Sequence, residues 1–187
     1  MESITMKVCE TLPTIGWEAA LVAAQGALHH AEKNGWRINA AVVDRGGNLM
    51  SFLRMPGAFP HSIEIAIDKA YTAANFGFPT KDWMAAVGHD EGMKFGFSAQ
   101  PRLIVFGGGL PMRIGDDDEW LGGIGVSGAS EAQDEECARA GLKAIGLRAW
   151  KRNCREQEMR AGMAPTRNFI PAPHPDKYLN RNHEGVT

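Results

Sequence analysis

Residues 38–54, INAAVVDRGGNLMSFLR, decide the expected fold of this chain. Two apolar, strand-prone runs, 38–45 and 48–54, lie on either side of Gly46 and Gly47. Two adjacent glycines favour a tight β-hairpin because both turn positions tolerate positive φ angles. The stretch therefore predicts two neighbouring antiparallel strands.

Helical patterns flank this hairpin on both sides. Residues 14–34 carry alanines and leucines at helical spacing, with Thr14 as the expected N-cap. Residues 62–76 show a second apolar stripe of helical period. Pro79 ends that element, because proline cannot continue a helix, and a shorter helix is expected over residues 80–86.

The second half of the chain predicts more strands and one long helix. Residues 102–106, 110–114 and 120–126 are strand-like and are separated by glycines and an Asp-rich turn. Ser130 and Gln133 form a capping box at the start of the last helix. Because the strands arrive as hairpins, we expect an α/β (α+β) fold whose mainly antiparallel, five-stranded sheet is packed with helices.

The composition changes near the C-terminus. Residues 1–147 are expected to form one domain, since a chain of this length holds about one. Residues 148–187 would then be the end of the last helix and a Pro-rich C-terminal extension. That extension is either a disordered tail or an arm, and Phe169, Ile170 and Tyr178 favour an arm that wraps a neighbouring subunit.

The charge balance excludes several classes of partner. The 187 residues include 20 basic and 22 acidic side chains, a net charge of -2, so no cationic field draws nucleic acid or anionic lipid. No apolar run approaches the roughly 20 residues that span a bilayer. The N-terminus does not resemble a secretory signal, and the three cysteines lack CxxC spacing. We expect a cytoplasmic protein without a metal centre.

A glycine motif at a strand-to-helix junction has more than one interpretation. Gly123, Gly125 and Gly128 spell GxGxxG, but the position 20 residues later is Arg148 rather than an acid, which excludes a dinucleotide fingerprint. The glycines could let a helix pack closely on the sheet. Alternatively, N–H groups near Gly128 could bind an anion at the start of the last helix, with Ser127 as one wall.

Several side chains are candidates for chemistry. Arg54, at a strand end beside a glycine-containing loop, could clamp a carboxylate, or it could be a surface charge paired with Glu64 or Asp68. Lys69 is either a rim residue or a site cation with a lowered pKa. His61 could transfer protons or ligate haem, although a single histidine is more often a surface residue.

Together these motifs resemble the GlcG/HbpS family, the haem-degrading domain that is shared with the C-terminal domain of PduO. The resemblance is carried by residues 41–58, 62–76, 108–112 (GGLPM) and 122–141 (GGIGVSGASEAQDEECARAG). It implies a profilin-like sheet and homo-oligomers, from dimers to larger rings or octamers. Positions that match the family's recurrent polar set are Asp44, Arg54, Ser62, Asp68, Lys69, Thr72, Ser127 and Asp134.

Three functions remain open at this point. The chain could be a small-ligand-binding protein of a catabolic pathway, with haem as a candidate cofactor held near Met55, His61 or Met112. It could instead be a cofactor-free lyase, isomerase or hydrolase that acts on a small carboxylate or aromatic acid. It could also be a structural assembly subunit.

The residue assignments follow from these hypotheses. In the enzyme hypothesis Arg54 holds the carboxylate, Lys69 stabilises negative charge, and Asp68 or His61 transfers protons. The expected catalytic residues are Lys69, Asp68 and His61. The expected ligand-binding residues are Arg54, Met55, Thr72, Ser127, Gly128 and Asp134.

Overall fold

The computed structural model describes residues 8–115 and 118–148, so nearly all of the predicted C-terminal extension lies outside the described residues. None of the helices in those ranges combines the length and the apolar character needed to cross a membrane. The regular elements, in chain order, are α1 (Trp17–Lys33), β1 (Asn39–Asp44), β2 (Leu49–Arg54), α2 (Ser62–Phe76), a 3₁₀ turn (Thr80–Asp82), α3 (Trp83–Val87), α4 (Glu91–Ser98), β3 (Gly109–Ile114), β4 (Glu119–Ser127) and α5 (Glu131–Ala144).

The strands form one antiparallel sheet in the order β2-β1-β4-β3. The predicted hairpin is confirmed, since β1 pairs with β2 across the turn. Gly47 is the glycine of that turn with a positive φ, +82°, and its N–H donates to the Asp44 carbonyl oxygen at 3.0 Å. The central strands β1 and β4 pair from Asn39–Ser127 to Asp44–Gly122.

The prediction of five strands is wrong, because the sheet in the described residues has four. Residues 102–106 do not form a strand. The Thr72 hydroxyl donates to the Arg102 carbonyl oxygen and accepts from the Ile104 N–H, both at 3.0 Å. Backbone groups that a neighbouring strand would have satisfied are therefore satisfied by a side chain. Arg102 also has φ +64°, outside the β region. We call residues 101–108 the strap.

The helices agree with the sequence where local signals are strong. The predicted range 62–76 coincides with α2, and the capping box of Ser130 and Gln133 is present at α5. Helix α1 begins later than predicted, with Gly16 rather than Thr14 at its N-cap. Helix α4 was not predicted, and the Asp90 side chain caps it by accepting from a backbone N–H of its first turn.

The two faces of the sheet are covered differently. Helices α1 and α5 cover one face and bury the larger apolar core, which includes Val42, Leu110, Ile124 and Leu142. Helix α2 covers the other face with small residues, and its alanines contact Ala41 and Val43 of β1. Large apolar side chains therefore fill the interface of the sheet with α1 and α5. In the interface with α2, the backbones of the helix and the sheet approach each other closely.

Glycines of β4 permit that close approach. A Cβ on Gly125 would lie 2.1 Å from the Ala66 carbonyl oxygen, and one on Gly123 would lie 2.5 Å from that of Ala70. Any side chain at these positions would push α2 off the sheet. The close-packing interpretation of the GxGxxG motif is confirmed, and the helix concerned is α2.

Candidate functional site

A buried ion pair joins α2 to α5. Lys69 Nζ lies 2.8 Å from Asp134 Oδ2 and donates to the Val126 carbonyl oxygen at 2.9 Å. The side chains are 1% and 3% exposed. The Phe106 ring of the strap lies above the ammonium group, 5.1 Å from its centroid to Nζ. Because both side chains are almost completely buried, the pair joins α2 to α5 rather than facing an open surface.

Burial governs the protonation of both partners. It lowers the pKa of Lys69 from the usual 10.5, and the attraction of Asp134 offsets only part of that shift. It raises the pKa of Asp134 from the usual 3.8, against the opposing effect of Lys69 and of the hydrogen bond from the Ala129 N–H. Desolvation therefore opposes the charged form of each group, as expected of an ion pair removed from water.

Two N–H groups just before α5 have acceptors within the protein. The Ala129 N–H donates to Asp134 Oδ1 at 3.0 Å, and the Ser130 N–H donates to Gln133 Oε1 at 3.1 Å. Gly128 has φ +139°, and a Cβ there would lie 2.6 Å from the Arg37 carbonyl oxygen. The geometry gives this glycine a packing role, and the two N–H groups that follow it are already used within the protein.

A second ion pair lies one residue earlier on α2, at the surface. Asp68 Oδ1 accepts from Arg102 Nε at 2.8 Å, with side chains 21% and 42% exposed. The Arg102 guanidinium lies over the Tyr71 ring, with its carbon 3.7 Å from the ring centroid. This cation is held on two sides, by a carboxylate and by an aromatic face.

The backbone reinforces the position of Arg102. A non-glycine residue with a left-handed φ costs energy and persists only where its surroundings enforce it. Here the Thr72 hydroxyl binds the Arg102 carbonyl oxygen and the Ile104 N–H, while Asp68 binds the side chain. Within the described residues no hydrogen bond engages the two terminal nitrogens of this guanidinium. Arg102 therefore holds, in a fixed position, two terminal nitrogens whose N–H groups no described residue accepts from.

Arg102, Tyr71 and Thr72 line a cleft of about 240 Å³, which we call the α2 cleft. Its floor and rims come from the second half of α2, the end of α4 and the strap. Aromatic rings of Phe76 and Phe97 meet edge to face beside it, at a centroid distance of 6.5 Å. The lining residues are Tyr71, Thr72, Asn75, Phe76, Phe97, Gln100, Pro101, Arg102 and Leu103.

The structure brings only some of the predicted site residues together. Asp68 and Thr72 are adjacent to the α2 cleft, Asp68 through Arg102 and Thr72 as a lining residue. The Thr72 side chain is 1% exposed and its hydroxyl is fully used by the strap. Lys69 and Asp134 lie beneath the strap in their buried pair. The predicted cluster is therefore divided between a sealed interior and an open surface.

The remaining predicted residues lie elsewhere. The Arg54 guanidinium donates to the Ala58 carbonyl oxygen at 2.8 Å, and Met55 is buried in the core on the opposite face of the sheet. His61 is exposed at the first end of α2, about 16 Å along the helix axis from Thr72. Ser127 is buried at the end of β4, opposite Asn39. The structure does not place these residues in the α2 cleft.

The remaining cysteine and charged groups of the described residues have structural contacts of their own. Burial raises the pKa of the Cys137 thiol to about 12, which leaves it a poor nucleophile. Along α5, an open groove of about 490 Å³ contains Glu135, which accepts from Lys81 at 2.7 Å and from Arg139. Within residues 8–115 and 118–148, no group of three or more His, Cys, Asp or Glu side chains could hold a metal ion.

Sequence reasoning missed Arg102 as a site residue. It lies in a segment predicted to be a strand, and its ion pair with Asp68 spans 34 positions of the chain. The available signal was the like-charge pair of Glu64 and Asp68 at helical spacing, which favours a cation nearby. That signal indicates a partner for Asp68 but does not identify which arginine supplies it.

The fold and sequence can now be compared with known proteins. The sequence profile of a family described as "Haem degrading protein HbpS-like" matches residues 15–143. Protein GlcG of Escherichia coli is 34% identical over 109 residues, which cover 58% of this chain and 76% of GlcG.

Two solved structures are similar along most of their length. The HbpS double mutant of Streptomyces reticuli superposes with a TM-score of 0.67 at 34% identity, covering 77% of this chain and 95% of that one. The PduOC–haem complex superposes with a TM-score of 0.64 at 26% identity, covering 72% and 96%. The last of these proteins was solved with haem bound.

Proposed function

This chain belongs to the HbpS-like family of haem-degrading proteins, and we propose that it binds haem through the α2 cleft. One observation carries the proposal. Arg102 is fixed over Tyr71 beside an aromatic cleft, and no described residue accepts from its two terminal nitrogens. A flat, apolar ring system that bears carboxylates, as haem does, matches both features: its faces suit aromatic walls and its propionates suit a guanidinium.

The dimensions of the cleft limit how haem could bind. Pockets that enclose a drug-sized ligand usually measure roughly 300–1,000 Å³, and the α2 cleft measures about 240 Å³. The cleft would therefore receive one edge of the macrocycle, and the rest of the haem would lie outside the cleft. The edge that carries the propionates is the better match, because Arg102 forms one wall of the cleft.

The roles of the protein side chains follow from this placement. Bound haem supplies an iron centre capable of electron transfer or of binding small molecules. Arg102 would hold a propionate, and Asp68 and Thr72 would hold Arg102. Phe76 and Phe97 would exclude water from the inserted edge. The buried Lys69–Asp134 pair has no contact with the ligand in this proposal.

The small volume favours a second candidate, a small aromatic acid bound by the same residues. A single ring with one carboxylate would fit the α2 cleft in full, which supports the hypothesis of a cofactor-free enzyme or carrier for such acids. Arg102, rather than Arg54, would then hold the carboxylate, since the Arg54 guanidinium already donates to the Ala58 carbonyl oxygen.

Titration with haem, followed by absorbance in the Soret region, tests the proposal. We expect saturable binding to the wild type and at least about tenfold weaker binding to Arg102→Leu, since a lost charge-assisted hydrogen bond costs about 1.5–3 kcal/mol. Arg54→Leu is the matched control and should bind as the wild type does.

Competition by benzoate distinguishes the two ligands. If benzoate displaces haem, and binds the wild type but not Arg102→Leu, the small-acid function gains support. Absence of haem binding to the wild type would refute the haem proposal, and equal affinity of Arg102→Leu would refute its location.

The wider expectations are also proposals. We propose that the chain forms homo-oligomers, dimers or larger assemblies up to octamers, and serves a catabolic pathway in the cytoplasm. The similarity to HbpS and GlcG supports this proposal. Native mass spectrometry of the full chain measures the assembly directly, and a monomer at micromolar concentration would contradict it.

A further inference from the structure

We infer that β2 is the strand through which two copies of this chain join, by antiparallel pairing of their β2 strands about a two-fold axis. The inference rests on the proposed homo-oligomers and names the surface that would form them. β2 and β3 are the two edges of the sheet, since the strand order is β2-β1-β4-β3. An edge strand directs unpaired N–H and C=O groups outward, and these groups bind another strand unless the fold blocks them.

The β3 edge is blocked against a further strand. The Gly108 carbonyl oxygen accepts from the Val126 N–H of β4 at 2.9 Å. Because successive residues of an antiparallel strand direct their backbone groups to opposite sides, those of Gly109 and Pro111 point away from β4. The Gly109 N–H already donates to the Thr80 hydroxyl oxygen at 3.0 Å, and proline has no N–H. Neither residue can therefore donate to another strand.

The β2 edge lacks this protection. The Met55 N–H, directly after β2, donates to the Ile38 carbonyl oxygen at 3.1 Å, and the pairing with β1 is regular over residues 51–54. The same alternation therefore directs the N–H and C=O groups of Phe52 and Arg54 away from β1. In the part of the chain that the structure describes, no hydrogen bond engages these four groups. Each of the two residues presents a donor and an acceptor.

A second copy of β2 would satisfy all four groups at once. Rotation about a two-fold axis that passes beside Leu53 brings Phe52 of one copy opposite Arg54 of the other, and the reverse. Each of these two pairs then exchanges both of its N–H···O bonds, as hydrogen-bonded antiparallel pairs do. The edge is thus complementary to itself, which is the requirement of a two-fold interface.

The side chains favour the same register. Phe52 and Arg54 share the face of the sheet that α2 covers, since Phe52 packs against the cluster that contains Ala41 and Val43. The two-fold pairing brings the exposed Arg54 cation of one copy within reach of the Phe52 ring of the other. A shift of two residues would instead place the two Arg54 side chains directly opposite each other, where like charges are destabilising. On the other face, Leu53 meets Leu53 of the second copy in an apolar cross-strand pair.

Amide hydrogen exchange of the full chain, followed by NMR, tests the inference without any substitution. The Phe52 and Arg54 amides should be protected where the chain is self-associated, and should exchange at least about tenfold faster after dilution to the monomer. The Ser51 and Leu53 amides face β1 within each copy, so they are the internal control and should stay protected in both states. Protection of Phe52 and Arg54 in the monomer would overturn the inference, because something other than a second copy would then cover the edge.

Opposite charges at position 52 test the register. Phe52→Glu would face Arg54 of the second copy with an opposite charge, and Phe52→Lys would face it with a like charge, at two places in the dimer. We expect the Kd of self-association, measured by analytical ultracentrifugation, to be at least about tenfold larger for Phe52→Lys. The two variants lose the same ring, and urea denaturation of both checks that they are equally folded. Equal dissociation constants would overturn the pairing of Phe52 with Arg54.

The outcomes separate this inference from the proposed function. If the wild type self-associates while its Phe52 and Arg54 amides exchange as fast as in the monomer, β2 is not the interface, and the proposal of homo-oligomers stands. If the wild type is a monomer at micromolar concentration, both are refuted.

Discussion

Two adjacent residues of α2 form ion pairs of opposite character. Lys69 pairs with Asp134 and Asp68 pairs with Arg102, both at 2.8 Å. The first pair is almost completely buried, at 1% and 3% exposure, whereas the second is 21% and 42% exposed. The two pairs therefore have equal N–O distances but very different contributions to stability. The surroundings of each pair, rather than the distance, determine the cost of desolvation.

The comparison indicates how a single helix can serve both structure and binding. The inner pair, Lys69–Asp134, joins α2 to α5 beneath the strap and leaves no surface for a ligand. The outer pair, Asp68–Arg102, fixes a cation at the rim of the α2 cleft and leaves two of its nitrogens free. Changes at the inner pair should therefore alter stability, and changes at the outer pair should alter binding.

Breaking the inner pair should have the largest effect. Lys69→Met leaves Asp134 buried without its partner, and we expect a loss of about 3–5 kcal/mol in the free energy of unfolding. Urea denaturation followed by circular dichroism measures it. Asp134→Asn in the same chain removes the charge and retains an oxygen for the Ala129 N–H. The double variant should therefore be more stable than Lys69→Met, and a single variant within about 1 kcal/mol of the wild type would contradict this assignment.

Separating α2 from the sheet should have the next largest effect. Gly125→Ala places a Cβ 2.1 Å from the Ala66 carbonyl oxygen and 3.0 Å from the carbonyl carbon of Lys69, so α2 must shift. We expect about 1–3 kcal/mol of destabilisation, measured by urea denaturation. Gly96→Ala in α4 is the control: no atom lies within 4 Å of its Cβ, and alanine favours helices. Equal stabilities of the two variants would show that close approach is not required.

The ion pairs of Glu135 with Lys81 and Arg139 are intermediate in burial between the inner and the outer pair. Their contribution to stability should depend on pH. Burial tends to raise the pKa of Glu135, but the hydrogen bonds from Lys81 and Arg139 outweigh it, and the pKa lies below the usual 4.5. The stabilisation is therefore present above about pH 4.5 and is lost as the pH falls through the lowered value. Glu135→Gln should cost about 1 kcal/mol at pH 7.

Thermal unfolding between pH 7 and pH 3 measures that dependence. The difference between Glu135→Gln and the wild type should shrink with acidification, because the wild-type carboxylate is then protonated too. Glu32→Gln, at an exposed position of α1, is the control for loss of one carboxylate. A difference that stays constant across the range would contradict the assignment of the lowered pKa to Glu135.

Disrupting the outer pair should have the smallest effect on stability. Asp68→Asn should cost about 0.5 kcal/mol, since exposed pairs contribute little and salt screens them. In about 1 M sodium chloride the difference from the wild type should vanish, whereas the loss caused by Lys69→Met should persist. Haem affinity should fall several-fold, because Arg102 loses its anchor. Asp68→Asn with unchanged affinity would show that Arg102 does not depend on it for positioning.

Local signals in the sequence were sufficient for much of the fold. The range 62–76 was predicted without error because an apolar stripe and Pro79 act within a few residues. The hairpin at Gly46 and Gly47 and the capping box at Ser130 and Gln133 are equally local. Close packing of a helix at Gly123 and Gly125 is one of the two interpretations that the glycine motif allows, and the helix that uses it, α2, precedes β4 in the chain.

The strap shows where local reasoning failed. Residues 102–106 read as a strand by composition, yet the hydroxyl of Thr72, thirty positions earlier, satisfies the backbone at Arg102 and Ile104. No pattern within residues 102–106 indicates that the Thr72 hydroxyl will bind this backbone in place of a neighbouring strand. The error about the strap also removed Arg102 from the candidate site, since a residue placed in a sheet is not expected to lie over Tyr71.

The amino-acid sequence by itself determined the order and period of the elements, the turns and the caps, because these depend on neighbours a few residues apart. It also determined membership of the family, because the matching motifs recur along residues 15–143. Tertiary structure alone decided which of the two ion pairs is buried and which is exposed at the surface. Lys69 meets Asp134 across 65 positions and Asp68 meets Arg102 across 34. Whether each pair is buried depends on how closely α2 approaches the sheet and on where the strap crosses it, and burial determines the energy of a charge.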